Sequence, residues 1–498
     1  MATQPTAQRY ILLPPRGTTT ATVLGNAHLG DFMRSLSVPM KAVTATERGS
    51  DRTRMRVIDS THENGLKLVE MTPQGVSDLR QQEPGVRIVP ELFYETARAP
   101  MPQLLGKAKT KAGATPAGAT LAFHIASSGT PVARAKVIAF TDFANGIGAE
   151  GTTRVNGTVL LKISPNARIE RLYVYPIESC WPTVRKNIQL PLGAPISLPA
   201  INLTTPDVLQ FFRGKAPGAG GAGVTVGIID TGCGPHPDLV VAGGLNTVVG
   251  ENPADYADSG DQHGTHVAGI VAARGVAPAG MAGLAPEVSL RAYRVFPKGG
   301  FASNYSIAKA IDAAVADGCD LINMSLGGRG PADPATSSAI ADARSAGVVV
   351  LCASGNDGLN EVSQPGADPR AVAVGSFGRR GTYPRDSVSA SNAGKPIGKP
   401  DKLNFMASFS NYAAEIDMVG PGVGVVSTVP SGRWAVMDGT SMACPAATAM
   451  VARLLSADAA VRGMARDQQR SDAILKLAFQ AARSLGFGPQ YEGNGWIK

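Results

Sequence analysis

The sequence lacks any apolar run long enough to span a membrane, which argues against a membrane-spanning protein. Its N-terminus also lacks the basic start and long apolar core of a secretory signal peptide. We therefore predict a cytoplasmic location, with secretion by a non-standard route as the alternative.

Charged residues are scarce too, at 17% of the chain, below the usual quarter. The 47 basic and 39 acidic residues give a net charge of +8, with no basic stripe among the 498 residues. Nucleic-acid binding is therefore not indicated. A chain of this length favours two or three domains over one.

Cysteine is limited to five residues, an odd number without the spacing of a disulfide framework. We predict that Cys233, Cys352 and Cys444 are small buried thiols, and that the protein lives in a reducing compartment. A redox-sensing role is the less favoured alternative. The five residues are Cys180, Cys233, Cys319, Cys352 and Cys444.

Four polar residues stand at the end of a predicted strand or the start of a predicted helix. Asp230 closes an apolar run that starts at Val224, and the carboxyl ends of parallel strands are where α/β sheets place their sites. His263 opens a segment with small and apolar residues at helical spacing. Ser441 follows a Gly-Thr turn at the start of an apolar helix. The N-terminus of a helix is the positive end of its dipole, which suits a nucleophile. Asn356 ends another buried strand, and its amide can donate to a developing oxyanion.

Each of these residues has a simpler interpretation when it is taken alone. Asp230 and Asn356 are typical turn residues, and a serine at the position of Ser441 often only caps a helix. His263 and His266 could form a metal pair, although no third ligand stands out.

The motifs around the four residues together resemble those of the subtilisin-like serine proteases. They are Asp-Thr-Gly at 230–232, His-Gly-Thr-His-Val-Ala-Gly at 263–269 and Gly-Thr-Ser-Met-Ala-Cys-Pro at 439–445. The resemblance runs from about Val224 to the C-terminus, and the order Asp, His, Ser is that of subtilisin. It implies an α/β fold with a doubly wound, mostly parallel sheet, and a serine endopeptidase that hydrolyses peptide bonds.

The resemblance also implies a role for each residue. Asp230 orients His263, His263 acts as the base, and Ser441 is the nucleophile that forms an acyl-enzyme. The Asn356 side chain and the Ser441 N–H hold the oxyanion. Protein or peptide substrates would add as an extra strand along an exposed edge. The implied substrate-binding residues are Ser325, Leu326, Gly327, Gly328, Ala353, Ser354 and Gly355.

The mechanism implies no required cofactor, and we assign no metal site. Asp255, Asp258 and Asp261 could hold calcium, as relatives often do, but a solvated acidic loop is the favoured interpretation. The chain is also longer than usual for the family between Val374 and Ala407. The basic insert at 379–402 is predicted to be a solvated loop, with a docking surface as the alternative.

Residues 1–100 are predicted to form a small α+β domain. A strand pattern at 66–71 is followed by Thr72 as a helix N-cap, Pro73 at the first helical position and a second strand at 86–90. This arrangement resembles the inhibitory propeptide of subtilisin-like proteases, which implies an intramolecular inhibitor whose tail, near 92–97, lies in the substrate cleft. An ordinary accessory domain is the alternative.

The rest of the chain before the catalytic segment is divided by two stretches of small and basic residues. We predict a linker at 101–115, a β-sandwich accessory domain at 116–205, a linker at 206–223 and the catalytic domain at 224–498. Four short strand patterns and the hairpin signal Asn156-Gly157 indicate the β-sandwich. The whole chain is then an autoinhibited zymogen that processes itself. The alternative is a catalytically silent or permanently inhibited scaffold that binds a partner protein.

Overall fold

The computed structural model describes residues 6–14, 29–36, 46–48, 55–107, 121–164, 167–190, 194–213 and 220–497. Residues 108–115 of the first predicted linker and 214–219 of the second lie outside these ranges. Within the described ranges, no helix is both long and apolar enough to cross a membrane.

An antiparallel sheet of five strands forms the N-terminal part of the structure, and its strand order is β2-β3-β4-β1-β5. Among the N-terminal residues that the structure describes, two helices accompany it, α1 at 29–35 and α2 at Pro73–Gln82. A further short strand, β6, comes after β5 in the chain but is not part of this sheet. The strands are β1 (Gln8–Leu13), β2 (Thr46–Arg48), β3 (Met55–Ser60), β4 (Lys67–Met71), β5 (Arg87–Pro90) and β6 (Phe93–Thr96).

Helix α2 begins where the sequence predicts. Thr72 caps it by accepting a hydrogen bond from the Gly75 amide at 3.1 Å, and Pro73 occupies the first turn, where its missing N–H is not needed. Val76 and Leu79 lie on one face of α2 and join the apolar core of the sheet, which includes Val69. The cap and this apolar face explain why the segment is helical.

Two further sheets follow, and we call them together the two-sheet module. One has the order β14-β13-β10-β11-β7, and the other has the order β12-β8-β15 with β9 beside β8. Their facing side chains share one apolar core, which includes Phe123, Val137, Val159 and Leu172. The strands are β7 (Gly106–Lys107), β8 (Leu121–Ser127), β9 (Thr130–Pro131), β10 (Lys136–Asp142), β11 (Ile147–Thr152), β12 (Thr158–Leu161), β13 (Ile169–Tyr175), β14 (Thr183–Ile188) and β15 (Ile196–Ser197).

The predicted hairpin at Asn156-Gly157 is wrong in its pairing. The turn exists: Gly157 has a φ of +74°, and its amide donates to Arg154 O at 2.9 Å. However, β11 pairs with β10 whereas β12 pairs with β8, so the turn carries the chain from one sheet to the other. The reason is burial, because Val159 and Leu161 of β12 fill the space between the sheets.

The strands and helices after the module build the largest part of the structure. The strands are β16 (Thr225–Asp230), β17 (Val241–Asn246), β18 (Ser289–Arg294), β19 (Ala302–Ser303), β20 (Leu321–Met324), β21 (Leu326–Gly327), β22 (Val349–Ala353), β23 (Val372–Arg379), β24 (Asn404–Met406), β25 (Met418–Pro421), β26 (Val425–Val429), β27 (Arg433–Met437), β28 (Ala482–Arg483) and β29 (Trp496–Ile497). The helices are α3 (Val208–Arg213), α4 (His263–Ala272), α5 (Asn304–Ala316), α6 (Pro334–Ser345), α7 (Thr440–Ala457), α8 (Ala459–Arg462), α9 (Gln468–Ala481) and α10 (Pro489–Glu492), with a 3-10 helix at Val388–Asn392.

The central sheet has the order β17-β18-β16-β20-β22-β23-β24, and β25 also pairs with β23. All of its pairs are parallel except β23 with β24. Successive side chains of β16 point to opposite faces, as strand geometry requires. Val226 and Ile228 join the core that contains α4 and α7, whereas Ile229 joins the core that contains α5 and α6. Helices therefore cover both faces, as predicted for a doubly wound α/β fold.

The N-terminal sheet packs on the central sheet's helices. Ile11 and Leu68 belong to the same apolar core as Tyr305 of α5. Lys309 of α5 forms an ion pair with Asp59 at 2.6 Å. Beyond this contact, β6 lies between β19 and β21 and is antiparallel to both, so it is hydrogen-bonded on two sides.

The predicted solvated loop at 379–402 is correct only in part. Arg380, Arg385, Lys395, Lys399 and Lys402 are exposed, but the segment around Asp386 and Val388 is docked on the two-sheet module. The Val184 amide donates to Asp386 O at 2.9 Å, and the Val388 amide donates to Pro182 O at 2.8 Å. Arg185 also forms an ion pair with Asp386. The side chain of Val388 is buried, so apolar burial as well as hydrogen bonding holds the insert in place.

Part of the predicted linker at 206–223 is also ordered as helix α3. Asp207 caps the helix by accepting from the Gln210 amide at 2.9 Å, and its second oxygen accepts from the Val426 amide at 3.0 Å. Val208 is fully buried. The linker prediction depended on the small-residue composition of the segment, but these contacts with the catalytic segment hold residues 207–213 in place.

All five cysteines are unpaired and buried, which confirms the prediction made for Cys233, Cys352 and Cys444. Burial raises the pKa of the Cys319 thiol to about 12 and raises the pKa values of Cys233, Cys352 and Cys444 above the usual range. Because the thiolate is the reactive form, these thiols are poorly suited to redox sensing.

A buried ion pair joins the C-terminal helix α9 to the central sheet. Arg470 donates to Asp320 Oδ1 at 2.6 Å and to Gly347 O at 2.8 Å, and both charged side chains are buried. The other oxygen of Asp320 accepts from the Thr225 amide of β16 at 2.8 Å. Removal of the carboxylate would leave a buried guanidinium without its counter-charge.

We predict that Asp320→Ala lowers the free energy of unfolding by about 3–5 kcal/mol, the range for breaking a buried pair. Urea unfolding is measured in a Ser441→Ala background, which removes the predicted nucleophile. The control is Asp472→Ala, which breaks the more exposed pair with Arg344 and is expected to cost about 1 kcal/mol or less. Equal effects of the two substitutions would contradict the prediction.

Candidate active site

Asp230 and His263 lie side by side in the interior, at the end of β16 and the start of α4. His263 Nδ1 is 2.7 Å from Asp230 Oδ1, and both side chains are buried. The same carboxylate oxygen accepts from the Thr231 amide at 2.7 Å. Because a carboxylate accepts hydrogen bonds, this geometry assigns the proton to Nδ1 and leaves Nε2 as the basic nitrogen.

Small residues allow the strand end and the helix to approach this closely. A Cβ added to Gly264 would lie 2.1 Å from Gly232 O and 3.1 Å from Asp230 Cβ. Thr231 Oγ1 accepts from the Gly264 amide at 2.8 Å and so satisfies one of the free amides of the first turn of α4. The motif residues beside Asp230 and His263 therefore meet a packing requirement.

Ser441 lies in the first turn of α7, and Pro445, four residues later, changes the hydrogen bonding of the Ser441 carbonyl. Pro445 has no N–H, so the Ser441 carbonyl is free of the usual helical bond. That carbonyl accepts from Ser325 Oγ at 2.8 Å, while Ser441 Oγ donates to Ser325 O at 2.9 Å. The hydroxyl therefore does not donate to His263 Nε2, which has no hydrogen-bond partner among the described residues.

Asn356 follows β22 and lines the same cleft. Its Oδ1 accepts from the Thr440 amide at 2.8 Å and from Thr440 Oγ1 at 3.1 Å. These two bonds turn the amide oxygen toward α7 and leave the NH₂ group as the donor on the cleft side. Asn356 is thus held by the residue that immediately precedes Ser441.

A segment of the chain itself occupies the cleft, at the position predicted for the tail of the N-terminal domain. The Ala97 amide donates to Ser325 O at 3.2 Å, and the Ala97 carbonyl accepts from the Ser441 amide at 3.2 Å. Farther on, the Ala99 amide donates to Asp438 O at 2.8 Å. A Cβ on Gly439 would lie 2.7 Å from Ala97 O, so only glycine leaves room for the segment.

The sequence profile of the subtilase family matches residues 221–488, more than half of the chain. This chain belongs to the subtilase family. It is 38% identical to Subtilisin Savinase of Lederbergia lenta over 228 residues, which are 46% of this chain and 74% of that protein. It is 40% identical to Subtilisin DY of Bacillus licheniformis over 247 residues, which are 49% of this chain and 80% of that protein. It is also 38% identical to an alkaline protease of Alkalihalobacillus alcalophilus over 228 residues, 46% of this chain and 53% of the relative.

This subtilase is a serine endopeptidase with the α/β subtilisin fold, and its substrates are proteins or peptides. The family match begins at residue 221, so it does not extend to the N-terminal sheet or the two-sheet module.

The predicted substrate-binding residues of the subtilase fall into two groups. Ser325 binds Ala97, and Leu326 and Gly327 pair with β6. Gly327, Gly328 and Gly355 line a cavity of about 810 Å³ beside Ala97. Two of the predicted residues, Ala353 and Ser354, instead face the interior.

The burial of these two residues has a clear cause. Ala353 belongs to the core on the α7 side of the central sheet. Ser354 Oγ donates to Asn411 O at 3.3 Å, and the Ser354 amide donates to Val374 O at 3.0 Å. Ala353 and Ser354 are therefore buried beneath the cleft and do not line it.

The alternative metal pair of His263 and His266 does not form in the subtilase. His266 Nε2 lies 3.2 Å from both Val425 O and Ala435 O, and the ring is buried. Burial lowers the pKa of His266 to about 3, so the neutral ring donates its Nε2 proton to these carbonyls. No group of three metal-ligating side chains occurs within the described part of the chain.

The three carboxylates considered for calcium have separate partners and do not converge on one site. Asp255 lies 3.6 Å from an Arg294 guanidinium nitrogen, and Asp261 pairs with Arg98. Asp258 accepts from the Gly260 and Gln262 amides, each at 2.9 Å, and from Thr265 Oγ1 at 2.9 Å. The solvated-loop interpretation suits the exposed Asp255 and Asp261. It is wrong for Asp258, whose hydrogen bonds fix the loop that leads into α4.

Asp438 is a site residue that the sequence motifs did not reveal. Its carboxylate accepts from Ser389 Oγ at 3.0 Å, from the Asn392 side-chain amide at 2.8 Å and from the Gly424 amide. Ser389 and Asn392 belong to the insert, so the insert supports the turn that carries Ser441. Ser389 and Asn392 lie almost fifty residues away from Asp438 in the chain, which is why local patterns gave no signal.

Asp438 is expected to make stability depend on pH. Burial raises its pKa from 3.8 to about 6. The folded state therefore holds the proton more tightly than the unfolded state, and the contribution of Asp438 to stability falls as the pH rises from about 4 through about 6. We predict that the melting temperature of Asp438→Asn, relative to the parent, rises over this range.

Thermal unfolding between pH 4 and pH 7 in the Ser441→Ala background measures this difference. Asp207 and Asp417 also have pKa values raised to about 6, but they are common to both proteins and cancel. The matched control is Asp458→Asn, at the N-cap of α8. If the melting temperatures of Asp438→Asn and the parent change with pH in the same way, the prediction is overturned.

Proposed function

We propose that the chain is a self-processing zymogen of a serine endopeptidase that uses Asp230, His263 and Ser441 and cleaves its own Ala97–Arg98 bond. The observation that carries the proposal is the hydrogen bond from the Ser441 amide to the Ala97 carbonyl. The strand before Ala97 is paired on both sides, as a bound substrate would be. The carbonyl beside Ser441 is therefore the natural target of its hydroxyl.

The acylation step requires the Ser441 hydroxyl to turn from Ser325 O to His263 Nε2. Nε2 takes the proton as Oγ attacks the carbonyl carbon of Ala97. The C–N bond to Arg98 then breaks, and His263 passes the proton to the departing amine. Water, deprotonated by His263, hydrolyses the resulting ester, and the proton returns to Ser441.

Three groups stabilise the charges that develop in these steps. The Ser441 amide and the Asn356 side-chain amide donate to the oxyanion. Asp230 holds the His263 tautomer and stabilises the imidazolium. The two bonds from Thr440 to Asn356 preorganise the second donor, so little rearrangement is needed during the reaction.

We propose that residues 1–100 are a propeptide-like inhibitor domain. Its sheet shares an apolar core with the catalytic helices, and its tail fills the cleft, so a second substrate could not add to the same strand edges. The two-sheet module at 116–205 is proposed as a β-sandwich accessory domain, with a linker at 101–115 and the catalytic domain at 224–498. Of the second linker predicted at 206–223, residues 208–213 form α3 and pack on the catalytic segment. The cytoplasmic location stays a prediction.

One observation favours a second candidate, a permanently inhibited protease scaffold that binds a partner protein. The Ser441 hydroxyl is bonded to Ser325 O, and His263 Nε2 is buried without a described partner. A permanently inhibited chain would retain this arrangement. Chemical labelling separates the two candidates.

We predict that a fluorophosphonate probe forms an adduct on Ser441 in protein freed of its N-terminal domain, because an activated serine attacks phosphorus as it attacks a carbonyl. Peptide mapping by mass spectrometry locates the adduct. Ser441→Ala is the control without a nucleophile, and His263→Ala lacks the base and is expected to label far more slowly. Absence of the Ser441 adduct would support the scaffold.

We also predict that purified wild type is cut once between Ala97 and Arg98, whereas Ser441→Ala stays intact. Intact mass and N-terminal sequencing, with a new chain that begins at Arg98, measure this directly. Identical masses for wild type and Ser441→Ala would refute self-processing. A Ser441-dependent cut elsewhere, for example at 206–223, would retain the endopeptidase and refute the assigned bond.

A further inference from the structure

We propose that the buried carboxylate of Asp333 makes this endopeptidase selective for tyrosine at the fourth position before the cleaved bond. The inference rests on the proposed function, in which Ala97 precedes that bond and Tyr94 occupies the fourth position. Asp333 would recognise the tyrosine hydroxyl as a hydrogen-bond donor.

The Tyr94 side chain is enclosed by the enzyme. Tyr94 pairs with Ala302 of β19, is only 3% exposed and belongs to the apolar core that contains Leu326. Its ring lies close to the backbone, because a Cβ added to Gly328 would be 3.3 Å from Tyr94 Cδ1. At the closed end of this pocket, the hydroxyl donates to Asp333 Oδ2 at 2.9 Å.

Asp333 is held rigidly at the start of α6. It is 1% exposed, and its Oδ1 accepts from the Ala335 amide at 3.1 Å and from the Asn304 side chain at 3.0 Å. Thr336 Oγ1 donates to the same oxygen as Tyr94. No ion pair includes Asp333 in the part of the chain that the structure describes, so neutral donors alone satisfy this buried carboxylate. The tyrosine hydroxyl is one of them.

Asn304 connects this carboxylate to the backbone of the bound segment. The Asn304 oxygen accepts from the Leu92 amide at 3.0 Å, and its NH₂ group donates to Pro90 O at 3.2 Å as well as to Asp333. Asn304, Asp333 and Thr336 all lie after residue 221, in the catalytic segment. The pocket therefore belongs to the enzyme, and a separate substrate would meet the same groups once the N-terminal domain has left.

Phenylalanine would fill the same apolar space but would leave Asp333 Oδ2 with one donor fewer. A site built to bind a hydroxyl discriminates strongly against the analogue that lacks it, because a buried polar group loses its partner. We expect kcat/KM for tyrosine to exceed that for phenylalanine by about 10- to 150-fold, the range for a hydrogen bond to a charged group.

The first test compares two quenched fluorescent peptides with the sequence of residues 91–100, one with the native tyrosine and one with phenylalanine in its place. Wild type after self-processing is expected to prefer the tyrosine peptide. In Asp333→Asn, which can still cap α6, the preference should fall toward unity. The matched control is Asp467→Asn, the same change at the N-cap of α9, which is expected to keep the preference.

The outcomes separate this inference from the proposed function. Equal rates for the two peptides, or a preference that persists in Asp333→Asn, would overturn the inference and leave the endopeptidase intact. Failure to cleave either peptide together with absence of fluorophosphonate labelling would refute the proposed function and this inference with it.

A second measurement tests the contact without any catalysis. In the full-length Ser441→Ala protein, thermal unfolding is compared for Tyr94→Phe, Asp333→Asn and the double variant. Coupled residues give non-additive effects, so the double variant should lose less stability than the sum of the two single variants. Additive losses would show that the hydroxyl and the carboxylate do not interact, and would overturn the inference.

Discussion

The hydrogen bond between the Ser441 amide and the Ala97 carbonyl joins the tail of the N-terminal sheet to the candidate nucleophile. The bond exists because α7 begins at Thr440 and presents the Ser441 N–H outward, and because Gly439 has no side chain to block the segment. On the other side, β6 reaches this point only because it pairs with both β19 and β21. The position of one carbonyl therefore depends on the N-terminal sheet, the strand edges and α7 together.

Inhibition and substrate binding use the same interactions in this arrangement. The apolar core shared by Leu68 and Tyr305 holds the N-terminal sheet in place, and the pairing of β6 extends that contact into the cleft. On the other side of the proposed cleavage bond, β7 pairs with β11, so that part of the chain is held by the two-sheet module. A cut after Ala97 would thus separate the N-terminal sheet from a catalytic segment that keeps the module.

Local sequence patterns predicted where helices and strands lie better than they predicted which elements pair or pack together. The cap at Thr72 and the strand that ends at Asp230 depend on neighbouring residues, and they lie where the sequence indicates. The strand predicted to end at Asn356 ends earlier, at Ala353. The turn at Asn156-Gly157 is present, but its flanking strands join different sheets because Val159 is buried between them. Charge composition predicted the exposed basic side chains of the insert at 379–402 but not its docking, which depends on Val184 and other residues about two hundred positions earlier.

The sequence by itself determined the family, the four polar residues of the candidate site and the order of the elements that carry them. These features are encoded in short motifs in which the type of each residue carries the signal, including Gly264, which has no Cβ, and Pro445, which has no N–H. Only the tertiary structure decided what surrounds the site, including the Ser325–Ser441 pair, the support of Asp438 by the insert and the pocket of Asp333 around Tyr94. Such contacts join residues distant in the chain, and they form only when the sheets and helices have packed.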